Sequence, residues 1–130
     1  MDAQRKLKFL VVDDMATMRR FVKQSLRELG YTRVSMAADG DAAIALLKSG
    51  NFDFVITDWN MPGTPGLEVL RQVRADARLA KLPVVMLTAE AKREYIVEAI
   101  QAGASDYVVK PFTVRTLKEK IDKVLETLAA

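Results

Sequence analysis

The chain contains no cysteine and no histidine. The first absence excludes disulfides and thiolate metal sites. The second excludes serine–histidine triads, histidine-ligated zinc and histidine general bases. Chemistry is left to Asp, Glu, Lys, Thr, Ser, Tyr and backbone groups. No stretch is long and apolar enough to span a bilayer. The N-terminal apolar run is too short for a signal peptide, and acids follow it directly. These features predict a cytoplasmic protein with no membrane partner. Internal repeats, low-complexity tracts and Pro/Ser linkers are also lacking, so residues 1–130 read as one domain. The net charge of +3 is a mild excess. It is scattered, apart from Arg5, Lys6 and Lys8 and the helical series Arg115, Lys118, Lys120 and Lys123. Without a recognition helix carrying interleaved aromatics, this is a solvated surface rather than a nucleic-acid interface.

What is present is a core. A chain of 130 residues that is 50% hydrophobic and 28% charged suits one compact, soluble domain. Short apolar runs recur at 7–12 (LKFLVV), 33–37 (RVSMA), 54–57 (FVIT), 83–88 (PVVMLT) and 107–109 (YVV). Four have β-branched centres without polar alternation, as strands buried on both faces should. RVSMA is more mixed and suits an edge. Amphipathic segments lie between and after the runs. Met18, Phe21, Val22, Leu26 and Leu29 repeat at helical spacing, with Gly30 as a stop signal. Ala42, Ala43, Leu46 and Leu47 mark a second helix ending at Gly50. Thr64 is placed to cap a third, with Pro65 at its first position and Leu67, Leu70 and Val73 as its buried stripe. Ile96, Val97 and Ile100 mark a fourth, closed by Gly103. Val114, Leu117, Ile121, Val124, Leu125 and Leu128 mark a fifth. Five βα units in succession predict an α/β fold, a parallel sheet with helices on both faces.

Ligands of such sheets bind at the carboxyl ends of the strands, near the switch in strand order. Asp13 and Asp14 follow the first run, Asp58 the third, Thr88 ends the fourth and Lys110 follows the fifth. Each has an ordinary reading. Asp14 can cap the helix that begins near Met15, Asp58 a turn, Thr88 a helix, and Lys110 can be a surface lysine with a buried stem. Capping needs one acid, however, not two, and it does not call for a lysine across the rim. Carboxylates this close repel, and each raises the others' pKa. A divalent cation removes that conflict; oxygen ligands without imidazole or thiolate favour Mg²⁺ or Mn²⁺, and abundance favours Mg²⁺. A carboxylate can also be phosphorylated as a nucleophile. Asp58, on the central strand, is the candidate, with Lys110 and Thr88 placed to meet phosphoryl oxygens.

The order DD, DWNMP, TAEA and KPF resembles the receiver domains of two-component response regulators, and the chemotaxis subfamily above all. FLVVDD, TMRR, DWNMPG, TAEAKRE, QAGAS and YVVKPFT extend the likeness over essentially the whole chain. The resemblance implies a flavodoxin-like doubly wound (βα)5 fold with strand order 2-1-3-4-5. It implies that Asp58 accepts a phosphoryl group from a histidine kinase. Asp14, Asp58 and the Asn60 backbone carbonyl would hold Mg²⁺, and Asp13 would act through water. Lys110 and Thr88 would contact the phosphoryl group, and Lys110–Pro111 would be a cis peptide. Asn60 and Glu90 would tune hydrolysis toward a short lifetime. Tyr107 would be the switch aromatic, on an output face that includes Lys92, Arg93, Ile96 and Lys120 and suits an acidic partner. Trp59 reads as a packed loop aromatic that can still report on the site.

The implied protein is not an enzyme acting on others, and promotes only its own phosphorylation and dephosphorylation. It would work as a monomer, with a histidine kinase, a flagellar motor switch protein and a phosphatase as partners. A phosphate sink, or a regulator of another motility or chemosensory pathway, would need the same site. A Mg²⁺-dependent phosphatase with an aspartyl-phosphate intermediate would need a D-x-D acid, where this chain has Asn60. A flavin module would need a phosphate loop after the first strand. Three departures from the family pattern stand out. Pro65 occupies a position where an acid is common, and Met15 one where an aromatic is frequent. Asp106 replaces a common glycine and is expected to add negative charge to the output face.

Overall fold

The computed structural model describes residues 6–89 and 92–129. Five strands, β1 (Lys8–Val12), β2 (Arg33–Ala37), β3 (Phe54–Asp58), β4 (Val84–Thr88) and β5 (Asp106–Val109), form one sheet. Its order is β2-β1-β3-β4-β5, and every pairing is parallel. The helices are α1 (Ala16–Glu28), α2 (Gly40–Ser49), α3 (Gly66–Ala75), α4 (Arg93–Gln101) and α5 (Val114–Ala129).

The two faces of the sheet bury separate cores. Phe9, Val11, Phe54, Ile56, Val85, Leu87 and Val108 point toward α1 and α5, where they meet Val22, Leu26, Leu117 and Ile121. The alternate residues, among them Leu10, Val12, Val55, Val84 and Met86, point toward α2, α3 and α4. This two-sided cover is why the strands carry continuous apolar runs. RVSMA does lie at an edge, and β5 forms the other.

One helix expectation needs correction. Thr64 does not cap α3. Its hydroxyl donates to Asp41 Oδ1 at 2.6 Å, and Pro65 flanks the helix just outside its first turn. Ile96, Val97 and Ile100 do lie on a helix, α4, but they are not its buried face. Of the residues of α4, Ala99 is the buried one, while Val97 and Ile100 are exposed. Helix α4 covers the edge of the sheet, where β5 offers little apolar surface on that side beyond Tyr107 and the neighbouring Ala104.

Candidate functional site

Strand register brings the polar residues to one rim. Val12 pairs with Thr57, so Asp13 comes level with Asp58. Asp58 pairs with Leu87, and Thr88 with Val109, so Thr88 and Lys110 follow on the same edge. The ladder continues past the strands. The Asp13 amide donates to Ala37 O, the Trp59 amide to Leu87 O, and the Lys110 amide to Thr88 O at 2.7 Å. The side chains of interest thus stand on hydrogen-bonded backbone rather than on free loops.

Lys110 Nζ lies 2.8 Å from Asp13 Oδ2 and 3.1 Å from Asp58 Oδ1. Asp13 is fully buried, Asp58 nearly so and Asp14 exposed. Each of the three carboxylates has an oxygen within 4.8 Å of the others. Asp13 has a second duty. Its Oδ1 accepts the Met15 amide at 2.9 Å, and its carbonyl accepts from the Arg19 guanidinium, so it shapes the turn into α1. The capping alternative for Asp14 therefore fails, since Met15 flanks α1 without a side-chain cap. Asp58 Oδ1 also accepts the Trp59 amide at 2.9 Å.

The electrostatics are those of a crowded acid site. Burial pushes the Asp58 carboxyl above the usual carboxylate range, Asp13 adds to the rise, and Lys110 opposes it without cancelling it. Burial alone would lower the Lys110 ammonium. Its hydrogen bond to Asp13 and the charges of both aspartates outweigh that and hold it above the ordinary lysine value. One ammonium faces three carboxylates, and among the described residues no cation pairs with Asp14. The residual negative charge and the all-oxygen donor set fit a small hard dication.

Thr88 is buried at the end of β4, and Asn60 is exposed two residues beyond Asp58. The Lys110–Pro111 peptide is cis. Trp59 is buried against Tyr95, edge to face with ring centroids 5.9 Å apart, so it is a packed loop aromatic beside the acids. Tyr107 is half-buried, Ile96 and Lys120 are half-exposed, and Lys92 and Arg93 are exposed at the start of α4. Asp106 is buried and ion-paired with Lys120 and Lys123, so it does not add free negative charge to this face as expected. Glu90 and Arg5 lie outside the described residues.

One site residue escaped the sequence reading. A Cβ on Gly66 would lie 1.9 Å from the Asp58 carbonyl oxygen, and the Gly66 amide donates to Trp59 O. The loop after β3 can fold back on Asp58 only because position 66 has no side chain. Its signal was the second glycine of MPGTPG, legible only once the close approach is seen.

The chain is similar to known proteins over most of its length. Residues 9–122 match the response regulator receiver domain family. Chemotaxis protein CheY of Pseudomonas aeruginosa is 60% identical over 120 residues, covering 92% of this chain and 97% of that protein. Chemotaxis protein CheY-3 of Vibrio cholerae is 57% identical over 124 residues, covering 95% of each. The solved structure of chemotaxis response regulator CheY4 of Vibrio cholerae superposes with a TM-score of 0.86 at 37% identity, covering 92% of this chain and 98% of that one.

Proposed function

The chain belongs to the response regulator receiver domain family, and from that premise we propose that it is a phosphorylation-driven switch of chemotaxis with Asp58 as the phosphoacceptor. The observation that carries the reading is the Lys110 ammonium held between Asp13 and Asp58, with Asp14 alongside. The donor is a phosphohistidine on a partner kinase. An Asp58 carboxylate oxygen attacks phosphorus, the P–N bond breaks, and its electron pair leaves with the imidazole. Lys110 meets the phosphoryl oxygens from one side and Thr88 donates its hydroxyl. Asp13, Asp14 and Asp58, with the Asn60 carbonyl, would hold Mg²⁺, which when bound offsets charge on the phosphoryl oxygens. Position and electrostatics supply most of phosphoryl-transfer catalysis, so no further acid or base is required. Asn60, two residues beyond Asp58, tunes the lifetime of the phosphoryl group.

Phosphorylation moves a population only through contacts that differ between the two conformers. In this chain those contacts are Lys110 and Thr88, which have a phosphoryl group to hold only in the phosphorylated form. The shift is read on the surface of α4, β5 and α5, where Lys92, Arg93, Ile96, Tyr107 and Lys120 receive an acidic segment of a flagellar motor switch protein. The test is a titration with such a peptide in Mg²⁺, with and without beryllofluoride as a phosphoryl mimic, while Trp59 fluorescence follows occupation. Tighter binding with the mimic is the expected result. A Trp59 response without peptide binding would refute the motor assignment and leave a phosphate sink or another pathway.

A further inference from the structure

The surface of α4, β5 and α5 carries an arrangement that the phosphoacceptor chemistry does not use. Strand β5 is a sheet edge, and its residues alternate between the two cores. Val108 faces α5, and Tyr107 packs on the opposite side, against the core beneath α2, α3 and α4. Asp106 shares the parity of Val108. Lys120, on α5, reaches around this edge. Its Nζ lies 3.2 Å from Asp106 Oδ1 and 4.6 Å from the centre of the Tyr107 ring. One ammonium group thus touches a carboxylate on one side of the strand and an aromatic face on the other. The carboxylate is itself tied down, because Oδ1 also accepts the Tyr107 amide at 2.8 Å. Lys123 approaches Oδ2 only loosely, at 3.9 Å, and stays 73% exposed.

We propose that Asp106 is the specificity-determining residue of this surface, an internal carboxylate that occupies Lys120 and sets the threshold an acidic partner must overcome. The inference rests on reading this surface as the output face. A partner carboxylate that takes Lys120 must displace Asp106, and the ammonium must then leave the Tyr107 ring. Any movement of Tyr107 breaks the same cation–π contact. Partner binding and the position of Tyr107 are therefore coupled through one lysine. A weakly acidic segment cannot compete with a carboxylate that is already in place. A strongly acidic one can, and more easily in a conformer where Tyr107 has left Lys120.

The test uses the whole chain as wild type, Asp106→Asn, Lys120→Met and the double variant. Asparagine keeps an acceptor for the Tyr107 amide and removes only the charge. In the free protein, Asp106→Asn is expected to shift the Tyr107 ring resonances, and to shift them no further when Lys120 is already methionine. With a synthetic Asp/Glu-rich motor-switch peptide and no beryllofluoride, Asp106→Asn is expected to bind about three- to tenfold more tightly, the ratio appropriate to a half-exposed ion pair with a ring contact. Its enhancement by beryllofluoride should shrink by the same factor, and Lys120→Met should abolish the difference. Unmoved Tyr107 resonances, or unchanged peptide affinity with full beryllofluoride enhancement, would overturn the proposal. If the peptide binds no form of the protein, the motor assignment fails instead, and the ring resonances alone decide the role of Asp106: a shift that needs Lys120 supports it, and no shift overturns it.

Discussion

Asp58→Asn should make the metal-free protein more stable, even though it destroys the residue on which function is proposed to depend. The Asp58 carboxylate meets opposing forces. Lys110 at 3.1 Å attracts it, by about 5 kcal/mol at an effective dielectric near 20. Asp13, with an oxygen within 4.8 Å, repels it by about 3.5 kcal/mol on the same scale. Asp14 is exposed and screened, and adds about 1 kcal/mol more. The charges nearly cancel, so burial decides, and burial is the leading reason that the Asp58 pKa is raised. Asparagine keeps the shape and can still accept the Trp59 amide, and Lys110 keeps Asp13 at 2.8 Å. The expected gain is about 1 kcal/mol, or roughly 3–5 °C in midpoint for a chain of this size.

The pH dependence has a definite sign. The folded state binds the Asp58 proton more tightly than the unfolded state does. Wild-type stability should therefore fall as pH rises from the unfolded value of 3.8 through the raised folded pKa. The advantage of the variant is absent below that window and complete above it. Added Mg²⁺ should reverse the order. At a hundredfold excess over its dissociation constant, a ligand stabilises the fold by about 2.7 kcal/mol, and the variant should lose most of that gain. Thermal melts followed by circular dichroism, in EDTA and in Mg²⁺ across this pH range, measure all of it. A variant no more stable than wild type in EDTA at neutral pH would refute the electrostatic reasoning. Equal stabilisation of both proteins by Mg²⁺ would show that Asp58 is no metal ligand.

Gly66→Ala should cost about 2–4 kcal/mol in urea unfolding, since a Cβ 1.9 Å from the Asp58 carbonyl forces the backbone to move; an unaltered midpoint would mean that the loop yields freely. Lys110→Ala should leave two buried carboxylates without their shared ammonium, costing about 3 kcal/mol in EDTA. The same variant should still take a phosphoryl group from a small-molecule donor, yet show no gain in peptide affinity with beryllofluoride; a normal gain would sink its role as an anchor. Tyr95→Ala should remove the ring that packs on Trp59, exposing the indole and shifting its emission to longer wavelength, and an unchanged spectrum would place the cover of Trp59 elsewhere.

The sheet was legible in advance because its period and its punctuation agree. FLVV, FVIT and VVMLT are too apolar for one-sided strands, and the acids, threonine and lysine at their ends have no place in a core. Helix α4 was legible from Ile96, Val97 and Ile100, but periodicity reports a stripe without saying what covers it. Val97 and Ile100 keep helical spacing, yet beside the edge strand β5 they stay exposed. Thr64 was misread because a hydroxyl before a proline is a fair capping signal, whereas Asp41, which claims it, is distant in sequence. The same holds at the rim. The side chains were visible in the sequence, but not that Asp13 divides its two oxygens between Met15 and Lys110. Such pairings are set by tertiary geometry.

The charge expected of Asp106 fails for a related and more instructive reason. Sequence counts formal charges, while a partner meets only those left unspent. Strand β5 carries Lys110 just beyond its end and Tyr107 within it, and the Lys110 amide donates to Thr88 O. Any change at the acids that moves Lys110 or Thr88 therefore acts on the strand that holds Tyr107, without a relay of separate parts. At the other end of that strand, Asp106 fixes Lys120 against the same ring. The rim and the surface of α4, β5 and α5 thus meet on one short edge strand, the first through Lys110 and the second through Lys120. As one of the two edge strands, β5 is bonded on one side only and is freer to answer than β1, β3 or β4, because moving it breaks one ladder rather than two.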